Sequence, residues 1–222
     1  MPISHAHRCI FVHIPKCSGT SVEAALHMHG SNELVGIELN TNRSMNAETL
    51  FGGGSEHLTA QEIQNLVPKA IFDGYFKFAF VRNPWDRFVS YVAWRHLKWH
   101  RGVGPTRAEF RYALWRLARD KLLGRQVRIH LRPQIDFLRD TSGRIAVDFV
   151  GRVENIDLDW EFITNRLGIT ASLSRRMRST HADYMTYYGP ITYLMLAAIY
   201  WRDVAVFGYA SLPRWPGRKN SR

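Results

Sequence analysis

Cysteine is scarce. Cys9 and Cys17 are the only two among 222 residues, and two such thiols make neither a disulfide framework nor a zinc pattern. Long apolar runs are missing too. The longest, ITYLMLAAIYW at 191–201, is too short to cross a bilayer, which takes about 20 residues. It reads as a buried helix, and no transmembrane helix is expected. The opening MPISHAHR is polar and a strand pattern follows at once, so no signal peptide is expected. With no export signal, a reducing cytoplasm is the expected compartment. No internal repeat or domain boundary is visible. The chain is read as one domain over 1–222, with 213–222 a frayed basic tail. Acidic side chains are also few, 19 against 30 Lys and Arg, for a net charge of +11. Residues 95–144 alone hold 13 Lys and Arg against 4 Asp and Glu. Such a stretch suits an anionic partner, whether nucleic acid, acidic glycan, anionic lipid or charged nucleotide. An ordinary solvated helix face is the plainer alternative.

Helix patterns alternate with short apolar runs, which argues for an α/β fold with a parallel sheet flanked by helices. RCIFVHI (8–14) is the first strand, and its continuous apolar character suits a buried position. A helix is expected from Thr20 to Met28. Residues 31–56 are the least regular part and end in Gly52-Gly53-Gly54 and SEH. Thr59 and Glu62 form a capping box for a helix to Val67, stopped by Pro68. YFKFAFVR (75–82) is the second strand. Asn83 caps the next helix, Pro84 takes its first position, and it runs to His100. Thr106 and Glu109 form a second capping box, for a helix to Leu123 with Phe110, Leu114 and Leu117 on one stripe. HLRPQIDFL (130–138) reads as a turn or short helix, and IAVDFVGR (145–152) as the third strand. Asp157 starts a helix that Gly168 closes. A basic loop spans 172–180. The last helix is expected from Pro190 to Arg202, followed by VAVFGY (204–209) as a final strand or extended segment.

Two motifs carry chemistry. FVHIPKCSGTS (11–21) is a strand, a small-residue turn and a helix start. Loop amides and a helix amino end there would cradle an anion, with Lys16 adding a full charge. A Walker A loop places its lysine after the second glycine. Here Lys16 precedes Gly19, which argues against an ordinary ATP or GTP hydrolase. Cys17 beside Lys16 is either a reactive thiol or a small residue filling a tight turn. The second motif, FVRNPWDRFVSY (80–91), puts Arg82 at the carboxyl end of a strand, where α/β sheets collect ligands. Arg87 and Ser90 share a helix face. Arg82 and Ser90 could converge on one phosphate. Alternatively, Arg82 caps the strand end and Ser90 packs within the helix.

Together, in this order, the two motifs resemble the sulfotransferase superfamily. HIPKCSGTS looks like its 5′-phosphosulfate loop and RNPWDRFVSY like its 3′-phosphate motif. The likeness is strongest to the carbohydrate-type branch, whose loop often reads HIPKTGGTS, so Cys17-Ser18 stands in for the commoner Thr-Gly pair. EHLTAQEI (56–63), DFVGRVENI (148–156) and DVAVFGY (203–209) extend the resemblance over most of the chain. It implies a P-loop-like sulfotransferase fold. The activity implied is transfer of a sulfuryl group from 3′-phosphoadenosine-5′-phosphosulfate to a hydroxyl of a carbohydrate-like acceptor, possibly anionic, without a metal. Lys16 would neutralise the leaving oxygen. Cys17, Ser18, Gly19, Thr20 and Ser21 would hold the 5′-phosphate, and Arg82 and Ser90 the 3′-phosphate.

His57, after the glycine run and within the family's histidine segment, is the candidate base, with Glu56 behind it. Otherwise His57 contributes to a helix cap. His13 reads as a buried, hydrogen-bonded histidine. His96, His100 and His130 either line an acceptor groove or lie on the surface. Arg175, Arg176 and Arg178 form either a lid or a solvated loop. Trp85, Trp94, Trp99 and Trp115 suit sugar or base stacking, or simply core packing. The rival functions are a nucleic-acid-binding basic protein, an ATP-dependent nucleotide kinase-like transferase, and a binding protein that keeps the fold without activity. No zinc pattern, RNA-recognition signature or basic zipper supports the first, and no nucleic-acid partner is expected.

Overall fold

The computed structural model describes residues 3–28, 57–99, 104–173 and 182–210. In chain order the elements are β1 (Ile3–Ser4), β2 (Cys9–Val12), α1 (Gly19–Ala25), α2 (Ala60–Leu66), α3 (Lys69–Gly74), β3 (Phe76–Val81), α4 (Pro84–Trp99), α5 (Arg107–Leu122), α6 (Ile135–Leu138), β4 (Phe149–Arg152), α7 (Ile156–Leu167), α8 (Pro190–Ile199) and α9 (Trp201–Val206). Short 3-10 turns lie at Ile129–Leu131, Val153–Asn155 and Tyr184–Tyr187. The described residues fall into two compact units. The first takes 3–28, 57–81 and 134–173, and the second takes 82–99, 104–133 and 182–210.

The first unit is built on the sheet, with strands in the order β1-β2-β3-β4. Strands β2, β3 and β4 are parallel, with Phe11 opposite Phe78 and Phe78 opposite Phe149. The two-residue β1 adds an antiparallel edge that no sequence pattern announced. Every residue of β2 is buried, as are the last five of β3. Phe11, Phe78 and Phe80 are almost wholly out of solvent, each contributing about 1.5–3 kcal/mol of apolar burial. Gly151 is where β4 clears that core, since a Cβ there would lie 2.6 Å from the Phe80 ring. Lys77 is the one charge within β3. Its ammonium donates to the carbonyls of Phe72 (3.1 Å) and Tyr75 (3.0 Å) and pairs with Asp148 at 3.0 Å. A buried ammonium is tolerable only when so surrounded.

Both ends of several helices match the sequence signals. Thr59 forms the expected capping box with Glu62, and Gly168 closes α7 in the left-handed conformation at φ 66. The strand expected over 145–152 forms only at Phe149–Arg152, and other expectations are corrected as well. Helix α1 stops at Ala25 rather than Met28, because the chain turns at His27 (φ 53) and Met28 N–H reaches back to the Glu23 carbonyl. Pro68 does end α2, but it also stands at the amino end of α3, where a missing N–H costs nothing. The strand is shorter than 8–14, since only Cys9–Val12 pairs before the chain turns at Pro15.

In the second unit, Asn83 Oδ1 accepts from the Trp85 amide (3.0 Å) and the Asp86 amide (3.4 Å), which caps α4 as expected. Thr106 and Glu109 cap α5, and the Phe110, Leu114 and Leu117 stripe is buried. Phe110 meets Phe88, Tyr187 and Tyr188, while Trp85 stacks on Tyr193 at 4.2 Å. The segment VAVFGY is not a strand. Val204 N–H bonds to the Tyr200 carbonyl and Phe207 N–H to the Asp203 carbonyl, so residues 204–206 end α9 and Phe207 caps it. A short apolar run does not distinguish a strand from a buried helical turn. The expected helix from Pro190 to Arg202 is accordingly two, broken at Tyr200.

Candidate active site

The loop after β2 is the most constrained piece of the first unit. Lys16 (φ 69) and Ser18 (φ 64) both hold the left-handed conformation, unusual for residues with a side chain. Such conformations cost about 1–3 kcal/mol each and persist only where packing enforces them. Their effect is to alternate the loop. Cys17 and Gly19 turn inward and are buried, whereas Lys16, Ser18 and Ser21 are part-exposed and Thr20 is exposed.

The inward side is locked by three contacts. The Cys17 amide donates to the Ile14 carbonyl at 3.3 Å, and its thiol donates to Gln134 Oε1 at 3.2 Å. Cys17 is 1% exposed, so it serves as the small residue filling the turn. Gly19 rests on the His13 imidazole, and a Cβ there would fall 1.9 Å from His13 Nε2. His13 Nδ1 in turn lies 2.8 Å from Glu23 Oε1 on α1, both side chains being buried. The strand, the turn and the helix are thus tied by one histidine.

His57 joins the same group. Its ring stands edge-on to His13, with centroids 4.5 Å apart, and its Nδ1 lies 3.3 Å from the His13 carbonyl oxygen. A carbonyl only accepts, so Nδ1 carries the proton and Nε2 is the basic nitrogen of the neutral ring. Thr59, two residues on, starts α2 and fixes the backbone that carries His57.

The second unit holds Arg82 and Ser90. Arg82 Nε donates to Asp86 Oδ2 at 2.7 Å, which orients the guanidinium, and its side chain is 14% exposed. Ser90 is 2% exposed, in the middle of α4. Arg87, on the same helix face, is turned to other work. Its guanidinium donates to the Arg132 carbonyl (2.9 Å) and the His130 carbonyl (3.3 Å).

The family model for the sulfotransferase family matches residues 1–210. The chain belongs to the sulfotransferase family. Sulfuryl transfer is therefore its chemistry in general terms, and the α/β sheet with flanking helices agrees with a fold of that type. An uncharacterized protein of Archaeoglobus fulgidus is 29% identical over 126 residues, which cover 57% of this chain and 95% of that protein. No solved structure matches the chain.

Among the other histidines, His96 pairs with Glu109 at 3.3 Å and His130 stacks on Trp94 at 4.8 Å. Trp85 is core, whereas Trp115 is 53% exposed. Glu56, His100, Arg175, Arg176, Arg178 and the stretches 31–56 and 213–222 lie outside the described residues, as does the side chain of Trp99. Among the described residues no cluster of three or more His, Cys, Asp or Glu could hold a metal ion, and no helix is long and apolar enough to cross a membrane. Sequence reasoning missed Glu23 and Gln134. The faint signal for Glu23 was a carboxylate on an otherwise apolar helix start, and Gln134 gave none.

Proposed function

We propose that residues 1–222 act as one sulfotransferase domain that uses 3′-phosphoadenosine-5′-phosphosulfate and passes its sulfuryl group to a hydroxyl of a carbohydrate-like acceptor. The observation that carries this reading is the 15–21 loop. Two left-handed residues turn Lys16, Ser18, Thr20 and Ser21 outward from a strand end, which is the donor set an anionic sulfate ester needs. The donor supplies the activated sulfuryl group, and the chain's part is to position and to neutralise charge. Lys16 offsets negative charge where the bridging oxygen departs. Thr20 and Ser21 offer hydroxyls, and the first amides of α1 point out of the helix end. Arg82, oriented by Asp86, and Ser90 form the second phosphate grip, which distinguishes this donor from ATP. His57 accepts the acceptor hydroxyl's proton at Nε2, with Nδ1 held by the His13 carbonyl so that the ring presents the correct nitrogen.

Calorimetry with adenosine 3′,5′-bisphosphate and with ATP, on wild type and Arg82→Ala, tests the donor. The bisphosphate is expected to bind more tightly than ATP and to lose about 10- to 100-fold in the variant, the worth of one charge-assisted contact. Equal affinity for the two nucleotides, or an unaffected Arg82→Ala, would overturn the assignment. His57→Gln is expected to retain bisphosphate binding while turnover falls about 10²- to 10⁴-fold. Unchanged turnover would remove His57 from the mechanism.

A further inference from the structure

Glu23 is the one acidic residue of α1, with Val22 before it and Ala24 and Ala25 after it. It is 6% exposed. Taking a carboxylate out of water is costly, and a buried ion pair adds little net stability over apolar packing of the same size. Stability alone is therefore a poor reason for an acid at this position.

Its partner lies beneath the donor loop. Glu23 Oε1 is 2.8 Å from His13 Nδ1. An ionised carboxylate only accepts, so that nitrogen carries a proton. The His13 ring stacks on Phe11, with centroids 5.7 Å apart, and Gly19 rests against its Nε2. His57 leans on the same residue twice. Its Nδ1 donates to the His13 carbonyl at 3.3 Å, and its ring meets the His13 ring edge to face at 4.5 Å. The hydrogen bond is longer than the usual N–H···O distance of roughly 2.7–3.2 Å, so by itself it holds the imidazole loosely. The ring contact is the second restraint, and it is only as firm as the His13 ring.

We infer that Glu23 is a positioning residue: through His13 it holds His57 in the orientation and tautomer that leave Nε2 bare. The inference deepens the assignment of His57 as base and rests on it. Without the carboxylate, His13 Nδ1–H loses an acceptor, and the ring turns easily about its Cβ–Cγ bond, a torsion with broad minima. His57 then loses the surface it abuts. An imidazole that no neighbour directs carries its proton on either nitrogen. With the proton on Nε2 it cannot take another there, so only part of the population is competent.

Long-range proton–nitrogen NMR spectra of the full chain test this. At about pH 8.5, well above the usual imidazole value, they read which nitrogen of each ring carries the proton. The signals missing in His57→Gln identify His57. In the wild type, His57 should be protonated at Nδ1. In Glu23→Met, which keeps the volume and helix propensity but offers no carboxylate, roughly half or more of the His57 population should carry the proton on Nε2. Glu23→Gln, whose amide oxygen accepts as the carboxylate does, should restore the wild-type pattern. A residue that only added stability would shift the urea midpoint in Glu23→Met and leave the tautomer of the folded protein unchanged. Should Glu23→Met not fold, Glu23→Asp, one methylene short of His13, is expected to give the same redistribution. Retention of Nδ1–H in the folded variant, or a Glu23→Gln that behaves like it, would overturn the inference and leave the base assignment standing. A wild-type His57 already protonated on Nε2 would overturn both.

Discussion

A methyl group added to Gly19 would lie 1.9 Å from His13 Nε2, well inside van der Waals contact. The ring cannot retreat without giving up Glu23 at 2.8 Å. Gly19→Ala is therefore expected to destabilise the protein by about 3 kcal/mol, the upper end for overpacking. Ser18, one residue earlier, should respond in the opposite sense. It carries a side chain at φ 64, where glycine is unstrained. Ser18→Gly relieves about 1–2 kcal/mol of left-handed strain and loses part of that to the freer unfolded chain, for a net gain of about 0.5–1 kcal/mol. Urea midpoints at constant slope measure both substitutions, and a stabilised Gly19→Ala or a destabilised Ser18→Gly would refute this account of the loop. The two thiols have structural roles on the same evidence. Burial pushes Cys9 up to about 12, so it stays protonated and inert at neutral pH, while Cys17 is spent on Gln134.

At the level of elements, the two capping boxes make a matched pair. Thr59 accepts from the Glu62 amide at 3.1 Å and Thr106 from the Glu109 amide at 3.3 Å. Thr59→Ala and Thr106→Ala should each cost about 1 kcal/mol in urea unfolding. Thr59→Ala should also lower turnover, because its helix end carries His57; Thr106→Ala, which is remote in sequence from every proposed catalytic residue, should not. Equal turnover in the two would show that α2 does not position His57. These caps were legible because their chemistry is local, spelled within four consecutive residues. So were the loop at 15–21, the strand–cap–helix transition at Arg82-Asn83-Pro84, and the buried stripe of α5. What could not be read depends on residues far apart in the chain. Gln134 meets Cys17 and Arg87 meets the carbonyls at 130 and 132 only after the fold has formed. β1 is too short to show a period. α9 hid within an apolar run because burial suits a strand and a helical turn equally.

For the molecule as a whole, the tyrosines that the fold buries set the alkaline end of its pH behaviour. Burial, reinforced by neighbouring Tyr200 and Asp86, raises Tyr188 well above the usual phenol range, and burial likewise raises Tyr200 despite the nearby Arg87 cation. In the unfolded chain both phenols ionise near pH 10. Stability from keeping them neutral is complete below that pH. Above it the folded state holds more protons than the unfolded state, so stability falls by about 1.4 kcal/mol per pH unit for each tyrosine. Urea unfolding at pH 8, 10 and 11 should show a plateau and then a decline, shallower in Tyr200→Phe. A decline that begins below pH 9 would refute this origin.

The parallel pairing of β3 with β4 has a consequence for biosynthesis. The ribosome must make residues 82–148 between the two strands. At roughly 5–20 residues per second, β3 waits on the order of several seconds with one edge open. An uncovered apolar strand is a template for a neighbouring nascent chain. FKFAFV carries a single charge, Lys77, and a lysine is the residue that blocks such pairing. Lys77 is thus a gatekeeper on the nascent strand before it becomes a buried ion held by Phe72, Tyr75 and Asp148 in the finished sheet.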